Sequence, residues 1–140
     1  MVDSTVYFDL PSDHRGQKIS EADLKSVAAK LRDAMRKRGF AVGELIGSST
    51  DLWGFSIDFG RHEILFGVSP NQLSKPQRWF ADVLLDDVGW FNSTRDSRLA
   101  QMKSVERGIH DALTTEIAAR NVTWYLGKGH IDGRQGQREP

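Results

Sequence analysis

From position 53 to 59, large apolar side chains alternate with small or polar ones: Trp53, Phe55, Ile57 and Phe59 against Gly54, Ser56 and Asp58. Successive side chains on a strand point to opposite faces, so this run buries one face and leaves the other small or polar. Ile64, Phe66 and Val68 repeat the pattern after a short link containing Gly60, which reads as a β-hairpin. The hairpin fixes a sheet at the centre of the fold. It identifies no chemistry by itself.

The flanking segments supply further strands and two helices. Val6 to Leu10 reads as a short strand, and Pro11 to Gln17 as a loop. A helix starts at Ser20, whose hydroxyl can cap the first turn, with Asp23 at the reciprocal capping-box position. Leu24, Val27, Ala28, Leu31 and Met35 form its apolar stripe, and Gly39 can close it in a left-handed conformation. Ala41 to Ile46 forms the next strand, with a turn over 47–50. Pro70 to Pro76 is a loop, and Trp79, Ala81, Val83 and Leu85 mark a strand over 78–85. A second helix begins near Thr94 to Ser97 and runs to about Arg120, carrying Leu99, Met102, Val105, Ile109, Leu113 and Ile117. Gly108 within it marks a close helix contact or a local weakness. Val122 to Leu126 is the last strand.

The order β-α-β-β-β-β-α-β predicts an α+β two-layer sandwich: a mostly antiparallel sheet with both helices packed on one face. Residues 1–126 form this single domain, and 127–140, with four glycines, form a flexible polar tail.

Nineteen basic and nineteen acidic residues cancel. That balance argues against a dedicated nucleic-acid binder, which needs a net or segregated positive surface. The absence of cysteine removes disulfides, zinc–thiolate sites and thiol nucleophiles together. No segment approaches the roughly 20 apolar residues that span a bilayer. Residues 1–7 lack the basic and apolar regions of a secretory signal, so the expected location is cytoplasmic.

If the apolar members of the alternating runs face the helices, their neighbours face away. That outer face carries Leu52, Ser56, Asp58, Leu65, Phe80, Asp82 and Leu84, joined by Tyr125 from the last strand. A contiguous apolar patch mixed with acids is an interface signature, and its alternative is a minor core. His62 lies beside Arg61 and Glu63, but adjacent strand residues point to opposite faces, which favours a solvated turn. Asp86 and Asp87 lack the loop pattern of a cation site and read as a turn or cap. His14 has no partner at metal-ligand spacing, His130 lies in the tail, and His110, beside the core residue Ile109 on the second helix, reads as a residue at the boundary of core and surface. The basic second half of the first helix, Arg32, Arg36, Lys37 and Arg38, complements the helix dipole and reads as a solvated face. No phosphate-loop or nucleophile-elbow pattern occurs, and neither a metal nor a cofactor is expected.

The leading expectation is a small protein-binding module, immunity-, chaperone- or adaptor-like, acting by surface occlusion. Its binding residues would be Leu52, Asp58, Leu65, Phe80, Asp82, Leu84 and Tyr125, and its partner another protein or a second copy in a homodimer. Neither nucleic acid nor membrane is expected as a partner. The alternative is a small-ligand binder or enzyme with a pocket between helices and sheet, its polar groups drawn from Arg61, His62, Asp86 and Asp87.

Overall fold

Seven antiparallel strands and two helices make up the structure, a computed structural model that describes residues 2–10, 19–48, 51–60, 62–71, 78–85, 95–126 and 136–140. The elements in chain order are β1 (Val2–Asp9), α1 (Glu21–Lys37), β2 (Ala41–Val42), β3 (Ile46–Ser48), β4 (Leu52–Asp58), β5 (Glu63–Asn71), β6 (Arg78–Leu85), α2 (Arg95–Thr115) and β7 (Arg120–Tyr125). The sheet runs β2-β4-β5-β6-β1-β7, and β3 also pairs with β4. Both helices cover one face of it, which is the α+β layering that the alternation and the two amphipathic stripes imply.

The central hairpin holds the register that its pattern requires. Phe55 pairs with Phe66 and Ile57 with Ile64, and β6 continues the rows by pairing Val83 with Phe66 and Leu85 with Ile64. All of these side chains are buried beneath the helices. Gly60 turns the hairpin with a φ of 85°, while the Asp58 carboxylate accepts the Gly60 N–H at 2.7 Å. At Gly54 the strands approach so closely that an added Cβ would lie 1.9 Å from the Phe66 carbonyl oxygen, so only glycine fits.

The first helix is capped as its sequence specifies. Ser20 and Asp23 form the reciprocal box, and Gly39 closes the C-terminus at a φ of 92°. Its inner face buries Leu24, Val27, Ala28, Leu31, Ala34 and Met35. Each fully buried Leu or Met is worth roughly 1.5–3 kcal/mol relative to exposure. At the sheet margin the Lys25 ammonium lies 5.1 Å from the centre of the Trp53 ring, a cation–π contact that covers the half-buried indole. Gly108 marks the helix crossing, because a Cβ there would meet Met35 and Phe40 at 3.0 Å.

Several boundaries differ from the sequence reading. The stretch expected as one strand over 41–46 is divided. Val42 pairs with Ile57 and Ile46 with Gly54, so three edge residues oppose two of β4 and the extra one forms a bulge. The Nε of Arg32 donates to the Gly43 carbonyl in that bulge, and the side chain is only 17% exposed, so this arginine is packed against the sheet edge rather than solvated as expected. The loop expected from Pro70 begins later, since Pro70 and Asn71 still pair with Trp79 and Arg78. The second helix stops at Thr115 rather than near Arg120. The chain turns at Ala118, whose φ is 51°, and the Ala119 N–H returns to the Leu113 carbonyl at 2.8 Å. Leu99, expected on the buried stripe, is 38% exposed, whereas Met102 is buried.

The sequence implies a flexible tail over 127–140. Of it, residues 136–140 lie against β7 and α2, and 127–135 fall outside the described residues. Gln137 exchanges backbone hydrogen bonds with Trp124 at 2.6 and 2.8 Å, and the Glu139 carboxylate meets Arg107 at 3.3 Å. Among the described residues, no helix is long and apolar enough to cross a membrane.

Candidate protein-binding face

The face of the sheet turned away from the helices is set by register, and its side chains lie in cross-strand rows. One row runs Ser56, Leu65, Leu84 and Asp3. The next runs Ile46, Gly54, Gly67, Asp82, Thr5 and Tyr125. A third runs Ser69, Phe80, Tyr7 and Thr123, with Leu52 on the same face just beyond the Trp53–Val68 pair. Asp58 and Glu63 pair at the turn end of the hairpin. Leu52, Asp58, Leu65, Phe80, Asp82, Leu84 and Tyr125 therefore share one face.

The apolar side chains on this face remain open to solvent to a degree unusual for strand residues. Ile46 is 65% exposed, Leu52 45% and Leu65 42%, whereas Phe80, Leu84 and Tyr125 are half-buried. The glycine pair in the middle row explains part of the shape. With no side chain at Gly54 or Gly67, Leu52 folds down so that its Cδ1 lies 2.6 Å from where a Gly67 Cβ would stand.

Tyr7 joins the face between Phe80 and Tyr125. Its ring centre is 5.8 Å from that of Phe80 and 5.7 Å from that of Tyr125, the latter edge-on at 87°. The sequence reading missed Tyr7, although the alternation was available: Val6 and Phe8 face the core, so Tyr7 between them faces out. Asp82 sits beside this aromatic group and accepts a hydrogen bond from the Thr5 hydroxyl at 2.6 Å. Burial pushes the Tyr7 phenol above its usual pKa, the charges of Asp82 and Tyr125 add to the rise, and Arg78 opposes it. At the far end the Asp9 carboxylate takes Arg78 Nε and Asn121 Nδ2, both at 2.9 Å.

A second polar group lies on the helix side, at positions not expected to be polar partners. The Ser4 hydroxyl donates to the Glu106 carboxylate, and both are buried between β1 and α2. One turn further along, the Trp124 indole N–H donates to His110 Nδ1 at 3.1 Å, which places any proton of a neutral His110 on Nε2. His110, expected between core and surface beside Ile109, is thus buried against a fully buried Trp124. Burial pushes the Glu106 carboxyl above its usual pKa, while the Ser4 hydrogen bond and the charge of Lys103 hold it back. Ser4 is only 2% exposed, so its hydroxyl ties strand to helix and presents no nucleophile to solvent.

Of the alternative pocket residues, Arg61, Asp86 and Asp87 lie outside the described residues. His62 stacks on Phe59 with ring centres 5.7 Å apart, and its two ring nitrogens are buried without a hydrogen-bond partner among the described residues. Among the described residues, no three His, Cys, Asp or Glu side chains converge as a metal site. The chain matches no protein-family model, and comparison with curated proteins and with solved structures found no match.

Proposed function

We propose that this chain is a small protein-binding module that occludes a partner's surface with the outer face of its sheet, in the manner of an immunity protein, secretion chaperone or adaptor. One observation carries the reading: a seven-stranded sheet with both helices on one side, and Leu52, Leu65, Leu84, Phe80, Tyr7 and Tyr125 on the side turned away from them. An antiparallel sheet that needs only solubility places polar residues on its solvated face. Here large apolar and aromatic groups occupy it, and such patches mark interfaces. The aromatic trio supplies rigid anchors, and Asp58 and Asp82 supply charge selectivity.

The sheet edges are poorer candidates. The bulge between β2 and β3 interrupts one edge, and Gln137 pairs along the other.

The test is capture of partners by the tagged chain beside its Leu65→Lys/Leu84→Lys variant. The expected result is a stoichiometric partner lost in the variant, with near-UV circular dichroism and melting temperature preserved. Retention of that partner by the folded variant would remove the outer face from the interaction.

A further inference from the structure

Charge is not spread evenly over this neutral chain. On the outer face, Asp58 and Glu63 stand at the hairpin-turn end, Asp3 lies toward the same end two strands away from Glu63, and Asp82 lies at the centre. Among the described residues, the basic side chains Arg78 and Arg120 lie at the opposite end of that face beside Asp9, with Arg78 paired to it at 2.9 Å, and the exposed Arg138 lies along the β7 edge. The helix layer has the other sign. Lys25, Lys30, Arg32, Arg36, Lys37 and Arg38 outnumber Glu21, Asp23 and Asp33 on and just after α1.

At the centre of the acidic region the chemistry is more specific than charge. Asp82 and Phe80 are same-face neighbours on β6, about 7 Å apart by strand geometry. Tyr7 lies across from Phe80, and Tyr125 lies across from Thr5, which holds Asp82. A carboxylate bordered by aromatic faces suits a guanidinium, which is planar, stacks on rings and pairs with carboxylates through a fixed fork of donors. The upward push of Asp82 on the Tyr7 phenol is the same negative field felt by a resident group.

Resting on the binding-face reading, we infer that the partner is a different protein with a basic surface, and that one of its arginines seats between Asp82 and the Tyr7–Phe80–Tyr125 cluster. A second copy of this chain fits less well. Two outer faces meeting about a two-fold axis through the centre of the face would set Asp82 against its own copy. An outer face meeting the basic side of α1 would be a head-to-tail contact, which extends into rings or filaments rather than closing a dimer.

The experiment uses two probes on the full chain. The first is nona-arginine, followed by amide chemical-shift mapping in wild type, Asp82→Asn and a control, Asp33→Asn on α1. Shifts should centre on Tyr7, Phe80, Asp82 and Tyr125, and affinity should fall about tenfold in Asp82→Asn, equivalent to about 1.4 kcal/mol, but not in the control. Equal weakening in both variants, or shifts centred elsewhere, would overturn the inference. The second is the captured partner, tested against Asp82→Asn and against Leu65→Lys/Leu84→Lys at two salt concentrations. Loss in both variants, with salt-weakened binding, supports the arginine seat. Loss only in the leucine variant would refute the arginine seat and leave the binding face standing. Retention in both would refute the face itself.

Discussion

Gly54 illustrates how a single residue can decide the geometry of this sheet. Its missing Cβ lets the Phe66 carbonyl approach, and because the obstacle is backbone, no rotamer change can relieve it. Gly54→Ala should therefore cost at least about 3 kcal/mol, at the upper end of overpacking penalties, measured by urea denaturation. A loss under about 1 kcal/mol would show that the strands separate easily there. Glu106 makes a different prediction. Its carboxyl is raised in the folded protein, so the fold binds the proton more tightly than the unfolded chain does. The stability contributed by the protonated form is complete below the unfolded value of 4.5 and is lost as pH rises through the raised folded value. Glu106→Gln should flatten the pH dependence above 4.5 and be at least as stable as wild type at neutral pH. An unchanged slope in thermal melts across that range would contradict this. Neither feature was legible beforehand. A carboxylate on an amphipathic helix reads as solvated until Ser4, 102 residues away, is brought against it.

At the scale of elements, the pattern fixed type better than extent. The capping box of Ser20 and Asp23, the stripe from Leu24 to Met35 and the alternation of β4, β5 and β6 all rest on local spacing, and they reappear in the fold. The division of 41–48 into two strands was not legible. A bulge depends on the register of the partner strand and on an acceptor satisfied from outside, here by Arg32 reaching the Gly43 carbonyl. Arg32→Ala should destabilise the protein by about 1–3 kcal/mol, the cost of leaving such an acceptor unsatisfied, with the greatest loss of amide protection in 41–48. Uniform loss of protection across the sheet would argue that Arg32 has no special role at the edge. The outward phase of Leu52, Leu65, Phe80, Asp82 and Leu84 was legible because a strand with one buried face determines its other face. Tyr7 was less legible because the sequence pattern marks a strand only over Val6 to Leu10, whereas β1 spans Val2–Asp9.

For the whole molecule, the controlling fact is layering. Two helices bury one side of a seven-stranded sheet, and the other side keeps leucines and aromatics among acids. The sequence implied this arrangement because both helices carry one apolar stripe each, enough to cover a single face. The partner's identity was not legible, since recognition depends on a complementary surface that lies on another chain. The most direct measurement of the binding-face claim is site-specific photo-crosslinking, with a benzophenone side chain placed at position 65 on the outer face or at position 33 on α1. The account predicts that position 65 crosslinks to one discrete protein and position 33 does not. Crosslinking at position 33 alone, or equally from both, would place the interface elsewhere and contradict it.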